Sequence, residues 1–156
     1  ILIKKKLNNL KMSKTEDFLT KEEEQEIVQA IIASENNTSG EIRVHIEEHS
    51  EKPPLERAQE VFFELKMDET HDRNGVLFYV CVADKKFAII GDKGINDIVA
   101  ADFWNTTKEV VIANFKEKQF KKGLVEGILK AGEQLKSYFP YQSNDEDELS
   151  NEISRG

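Results

Sequence analysis

The 156-residue chain has a single cysteine, Cys81, so it can form no internal disulfide and no zinc site built on several cysteines. It lacks any apolar run of the ~18 residues that a membrane span needs. It also lacks an excess of positive charge: 22 Lys and Arg stand against 30 Asp and Glu, for a formal net charge of −8. That balance argues against a general nucleic-acid binder, which needs a basic face to displace counterions from phosphates. Neither a Gly-x-Ser-x-Gly elbow nor a Walker loop is present, which removes two common enzyme readings. What is there is 38% hydrophobic and 33% charged, the balance of a globular domain. A chain of this length is one domain and buries roughly 68–70% of its unfolded surface, enough for a core without covalent staples.

The ends read differently from the middle. Ile1–Lys11 carries Lys4, Lys5 and Lys6, and its apolar start is too short for a signal peptide. Met12-Ser13-Lys14 reads as a natural start. Residues 1–15 are therefore expected to be a disordered extension, with a basic surface arm as the alternative. The want of a secretory signal points to a cytoplasmic protein without a membrane partner. Gln142–Gly156 holds Asp145, Glu146, Asp147, Glu148 and Glu152 with few large apolar residues. It is expected to be a disordered, solvated acidic tail, and such a run can bind cations loosely. The domain is then residues 16–141.

Within it, helices and strands alternate. Thr20 with Glu23 forms a capping box before the stripe Ile27, Val28, Ile31 and Ile32. Glu41–Glu48 alternates polar and apolar, the pattern of a half-buried edge strand. Pro53-Pro54 opens a second helix striped by Leu55, Ala58, Val61, Phe62 and Leu65. Val76–Ala83 is apolar on both faces, hence a central strand, and Asp84-Lys85-Lys86 turns it into an antiparallel strand over Phe87–Ile90. The first two strands, joined through a helix, are expected to be parallel with a right-handed crossover. Two more helices follow, one from Asn96 or Asp102 to Lys118, the other from Phe120 to Tyr138. Gly123, Gly127 and Gly132 in the last are read as close-packing positions. The fold class is α/β: a three-layer α/β/α sandwich on a short mixed sheet.

This topology gathers three loops at one end of the sheet: Thr38–Gly40, Thr70–Gly75 and Gly91–Asp97, with Asp102 and Trp104 just beyond. Asp72, Asp92, Asp97 and Asp102 are hard oxygen donors suited to Mg²⁺ or Ca²⁺. Arg73 and Lys93 suit phosphate charge, Asn74 can orient phosphate or water, and Gly91 and Gly94 let backbone approach a ligand. If this cluster is an active site, its chemistry is metal-assisted hydrolysis of a phosphorylated small molecule or nucleotide. The catalytic residues would be Arg73, Asn74, Asp92 and Lys93. Structural alternatives stand beside these: tight turns for the glycines, an ion pair of Arg73 with Asp72 or Asp92, a helix cap for Asn96 or Asp97, a core anchor for Trp104. Open α/β sheets usually bind ligands at the carboxyl end of parallel strands. Here that end, with Ser50–Lys52 and Asp84–Lys86, shows charge but no evident site. Cys81, mid-strand, is expected to be an inert thiol.

Ser39-Gly40-Glu41-Ile42-Arg43-Val44, Arg73-Asn74-Gly75-Val76-Leu77, Ala88-Ile89-Ile90-Gly91-Asp92-Lys93-Gly94-Ile95, Phe103-Trp104, Gly123-Leu124, Gly127-Ile128 and Phe139-Pro140 together resemble the TPM domain over residues 16–141. The similarity is greatest to small soluble bacterial members without signal peptide or membrane anchor. The resemblance implies an α/β/α sandwich, phosphatase activity and divalent-cation binding. It also implies the alternative of a non-catalytic, cation-regulated interaction or assembly module with a protein partner. Many members carry Asp-Asn-Gly where this chain has Arg73-Asn74-Gly75, and Gly-Tyr-Gly-Leu-Glu where it has the run from Gly91. Two carboxylates of the pattern are thus missing, with Asp72 and Asp92 as candidate replacements and a weakened metal site as the alternative.

Overall fold

The Thr20 hydroxyl accepts the Glu23 backbone N–H while the Glu23 carboxylate accepts that of Thr20, so helix α1 (Lys21–Glu35) opens on the expected capping box. The computed structural model describes residues 18–141 and 149–156; the expected extension over residues 1–15 lies outside them. After α1 come β1 (Glu41–Glu47), α2 (Pro54–Glu64), a 3₁₀ turn (Met67–Glu69), β2 (Gly75–Cys81) and β3 (Lys86–Gly91). A short α3 (Lys93–Asn96), α4 (Asn105–Lys116), α5 (Phe120–Lys136) and a two-residue β4 (Ser154–Arg155) complete the chain. The helix expected from Asn96 or Asp102 to Lys118 is α4, close to the second of those starts, and the short α3 precedes it.

The sheet is mixed, in the order β3-β2-β1-β4. β1 and β2 run parallel, with Glu41 opposite Gly75, and β3 runs antiparallel to β2. Every residue of β2 is buried, as a central strand with helices on both faces requires. On one face Ile42, Val44, Ile46, Val76, Phe78 and Val80 meet α1, α4 and α5. On the other, Leu77, Tyr79, Cys81 and Ala88 meet Ala58, Val61 and Phe62 of α2.

The helices of the first face pack closely because α5 presents small residues. A Cβ on Gly127 would lie 2.4 Å from a Val111 methyl, and one on Gly132 would lie 2.7 Å from Ser34 Cβ. The Ser34 hydroxyl uses that closeness to donate to the Ile128 carbonyl at 3.0 Å.

Two expectations are corrected. β1 is not an edge strand: β4 pairs with it in parallel, Ser154 opposite His45 and Arg155 opposite Ile46. The expected disordered tail does not hold for residues 149–156, since Leu149 is buried against the α2 face and β4 is part of the sheet. Residues 142–148 of that tail lie outside the described residues.

The polar face of β1 is also not solvated. His45 and Glu47 are each 4% exposed, because α2 covers that face and the polar groups satisfy one another. Arg57 of α2 donates to Glu47 through Nε at 2.9 Å and Nη2 at 3.0 Å. The Tyr79 hydroxyl also donates to Glu47, and His45 Nε2 lies 3.3 Å from it. Burial pulls the Glu47 carboxyl upward, but the bonds from Arg57, Tyr79 and His45 bring it to a net value below the ordinary one. Burial holds the His45 pKa below its ordinary value against the pull of Glu47. Both groups act in the same direction. A folded-state pKa that is depressed contributes stability that is full above the unfolded value and is lost as pH falls through the folded one. Stability should therefore decline as pH drops below ~6.5, where His45 titrates when unfolded, and decline further in the carboxylate range. The melting temperature followed from pH 8 to 4 for wild type and His45→Gln tests this. The variant's curve should be shallower below about pH 6.5, and parallel curves would contradict the assignment.

Candidate functional site

Strand polarity brings the three loops together as expected. The Asp92 backbone N–H donates to the Gly75 carbonyl at 2.9 Å, and that of Gly94 to the Arg73 carbonyl at 2.8 Å. Asn74 is buried, with its side-chain amide 3.4 Å from the Ser39 hydroxyl. Its carbonyl accepts the Glu41 N–H at 3.3 Å, so all three loops meet through its neighbourhood. Thr70, which sequence reasoning did not single out, has its hydroxyl accept the Asn74 N–H at 3.3 Å. A Thr four residues before a buried Asn was the available signal.

The centre of the cluster is an ion pair. Arg73 donates to Asp92 through Nε at 2.8 Å and Nη2 at 2.9 Å. Asp92 Oδ1 also accepts the Lys93 N–H at 2.7 Å, so Asp92 is the N-cap of α3. The pair raises the Arg73 pKa, through the hydrogen bond to Asp92 first. Arg73 takes a left-handed backbone, φ 50°, a conformation unfavourable for a non-glycine residue. That turn aims its side chain back across the loop to Asp92, and the two-pronged bond holds it there. The structural alternative for Arg73 is therefore the one found; Asp92 caps the short α3, while Trp104, and not Asn96 or Asp97, holds the N-cap position of α4.

The remaining candidates stand apart. Lys93 and Asp97 form an exposed i,i+4 pair on α3. Asp72 is exposed and bonded to His71 Nδ1 at 3.0 Å. Asp102 is exposed on the approach to α4. Trp104 is partly buried against the core, its indole nitrogen buried and, among the described residues, without a hydrogen-bond partner.

The four expected aspartates do not make a donor set for a divalent cation. Both oxygens of Asp92 are taken by Arg73, and a cation would have to displace a guanidinium from a carboxylate only 5% exposed. Among the described residues no three His, Cys, Asp or Glu side chains converge as metal ligands. The expected ligand set of Asp72, Asp92, Asp97 and Asp102 is not gathered into one. What the arrangement offers is a rigid surface with two exposed cations, Arg73 and Lys93, whose side chains are 42% and 68% exposed.

Elsewhere, Cys81 is buried, its thiol 3.2 Å from Asp84 Oδ2. Burial first, and then that bond, push the thiol pKa up, as expected of an inert thiol. Asp84 is held down at about 2, chiefly by the Ser50 backbone N–H.

A mixed sheet covered by helices on both faces, with its loops tied at the amino end of the parallel pair, defines an α/β/α sandwich with one built loop cluster. The family comparison gives that class its name: the TPM domain matches residues 12–134, so this chain belongs to the TPM domain family. Among solved structures it is similar to the BA42 protein of the psychrophilic bacterium Bizionia argentinensis, solved by NMR, at 57% identity and a TM-score of 0.85. That match covers 89% of this chain and 96% of BA42. It also has the fold of the N-terminal domain of a P. gingivalis protein, at 14% identity and a TM-score of 0.65, over 81% and 83% of the two chains. No curated protein matches. Among the described residues no helix is long and apolar enough to cross a membrane.

Proposed function

We propose that this chain is a non-catalytic TPM domain that docks a protein partner through the loop end of its sheet and responds to divalent cations. The Arg73–Asp92 pair carries the reading. Asp92, the buried carboxylate at the centre of the expected site, is neutralised by Arg73 and committed to capping α3. Of the exposed carboxylates around it, Asp97 pairs with Lys93 and Asp72 with His71. Ile98, Tyr138 and Tyr141 are exposed large apolar residues, and the Thr38–Pro140 bridge carries the last two toward the same loops. Tyrosine beside fixed charge is the composition of a docking surface.

Cations enter this reading as modulators of charge. Leu149 packs with Met67 and donates its N–H to Glu41 at 2.9 Å. Asp68 and Glu69 follow Met67 in the 3₁₀ turn, and Asp145, Glu146, Asp147 and Glu148 immediately precede Leu149 in sequence. Acidic residues that neighbour both partners of this contact in sequence are where Ca²⁺ or Mg²⁺ would relieve like-charge repulsion. Ca²⁺ or Mg²⁺ should raise the melting temperature by several degrees over the chelated chain, because a ligand of the folded state alone stabilises it. Identical melting in Ca²⁺, Mg²⁺ and chelator would overturn the cation response.

A second reading, hydrolysis of a phosphorylated small molecule or nucleotide, has one supporting observation. Arg73 and Lys93 both reach solvent at the same loop end. There they would bind phosphate oxygens and Asn74 would orient the ester, which requires Arg73 to leave Asp92.

A further inference from the structure

The carboxyl end of the parallel pair, where sheets of this kind bind ligands, has a cleft that the loop-end reading does not use. It measures about 850 Å³, within the range of small-molecule sites. Its floor is aromatic. Phe18, Phe87, Phe115 and Phe120 form a connected set: Phe18 lies 4.3 Å from Phe120, and Phe115 lies 5.7 Å from Phe87 and 5.5 Å from Phe120, between ring centroids. Val80 and Val82 of the central strand's end and Ile112 of α4 extend it.

Its rim is of one sign. Lys85 comes from the β2–β3 turn and Lys86 from the start of β3, Lys116 from the end of α4 and Lys118 from the turn after it. Among the described residues no carboxylate lines the cleft, in a chain whose net charge is −8. None of the four lysines belongs to an ion pair among the described residues. Lys85 and Lys118 both sit in left-handed backbone, φ 52° and 58°, where glycine or asparagine costs less. The chain thus places lysine at both turns against the conformational preference.

We propose that this cleft binds an amphipathic anion of the fatty-acid class, with the alkyl chain on the phenylalanine floor and the carboxylate among the lysine ammonium groups. An apolar floor selects the chain and the rim selects the sign of the head group. A concave site of this size encloses a single chain, whereas docking on a lipid surface needs an outward-facing apolar patch.

The test is calorimetric titration of the full chain with dodecanoate below its micellar concentration, beside dodecyltrimethylammonium. Dodecanoate should bind saturably at one site, and more weakly as salt is raised. The cationic analogue and the Lys116→Glu/Lys118→Glu variant should each bind at least about tenfold more weakly. Ile112→Trp should weaken binding by crowding the apolar floor; Ile112 is 39% exposed, so the larger ring enters from the surface. Should that variant melt early, the double lysine variant, altered only at exposed side chains, decides the matter. No saturable binding, equal binding of the two amphiphiles, or indifference to the lysine reversal would overturn the proposal. So would sedimentation with phosphatidylglycerol vesicles in a chain that ignores free dodecanoate.

Discussion

Gly94→Ala should destabilise the chain by about 3 kcal/mol or more, the upper end of what overpacking costs. A Cβ at this position would sit 2.2 Å from the Asp72 carbonyl oxygen and 2.6 Å from that of Arg73. Both are backbone atoms, so no rotamer change relieves the overlap. The Gly94 N–H must stay 2.8 Å from the Arg73 carbonyl, which keeps the loops pressed together. Relief means separating them, and separation breaks the Arg73–Asp92 pair as well. Gly91 is the control. Its added Cβ would meet only side-chain atoms at 3.4 Å, so Gly91→Ala should change stability by less than about 1 kcal/mol. Urea unfolding of both variants gives the comparison. Equal, small losses would mean that the loops are not locked.

Arg57→Ala should cost about 3 kcal/mol, the lower part of the range for breaking a buried ion pair, because the Arg57 side chain is itself 21% exposed. The loss comes from what is left behind: Glu47, with a side chain 6% exposed, keeps Tyr79 and His45 but loses its only full positive charge among the bonds described. Removing both partners should be milder than removing Arg57 alone. The double variant Glu47→Gln/Arg57→Met should recover much of the loss, and a double-mutant cycle by urea unfolding measures the coupling. Additive losses would show that the two residues do not form one unit.

Much of this fold is legible from residue order. The capping box at Thr20, the doubly apolar run from Val76, the short turn at Asp84 and the helix-compatible glycines of α5 are local signals, and each forms the element it suggests. What fails to show is held by distant partners. β4 is two residues with no apolar run, a strand only because it pairs with His45 and Ile46. α3 is four residues, too short for any periodicity. The buried polar face of β1 reads as solvated because its partners, Arg57 and Tyr79, lie on other elements.

The site divides the same way. The meeting of its three loops follows from strand direction, which the connections dictate. The use made of its carboxylates does not. Whether Asp92 faces a cation or a guanidinium depends on the left-handed turn at Arg73, and no spacing rule announces that turn. The basic residue at this position turns an expected ligand cluster into an internally neutralised one.

The central claim is that this neutralised loop end docks and does not turn over phosphate. The most direct test is phosphate release from p-nitrophenyl phosphate, ATP and ADP in Mg²⁺, Ca²⁺ or chelator, on wild type and on folded Asp92→Asn. The account predicts no release above the protein-free control from either chain in any of the three conditions. Metal-dependent release by the wild type that collapses in Asp92→Asn would contradict it and establish a phosphohydrolase at the loop end.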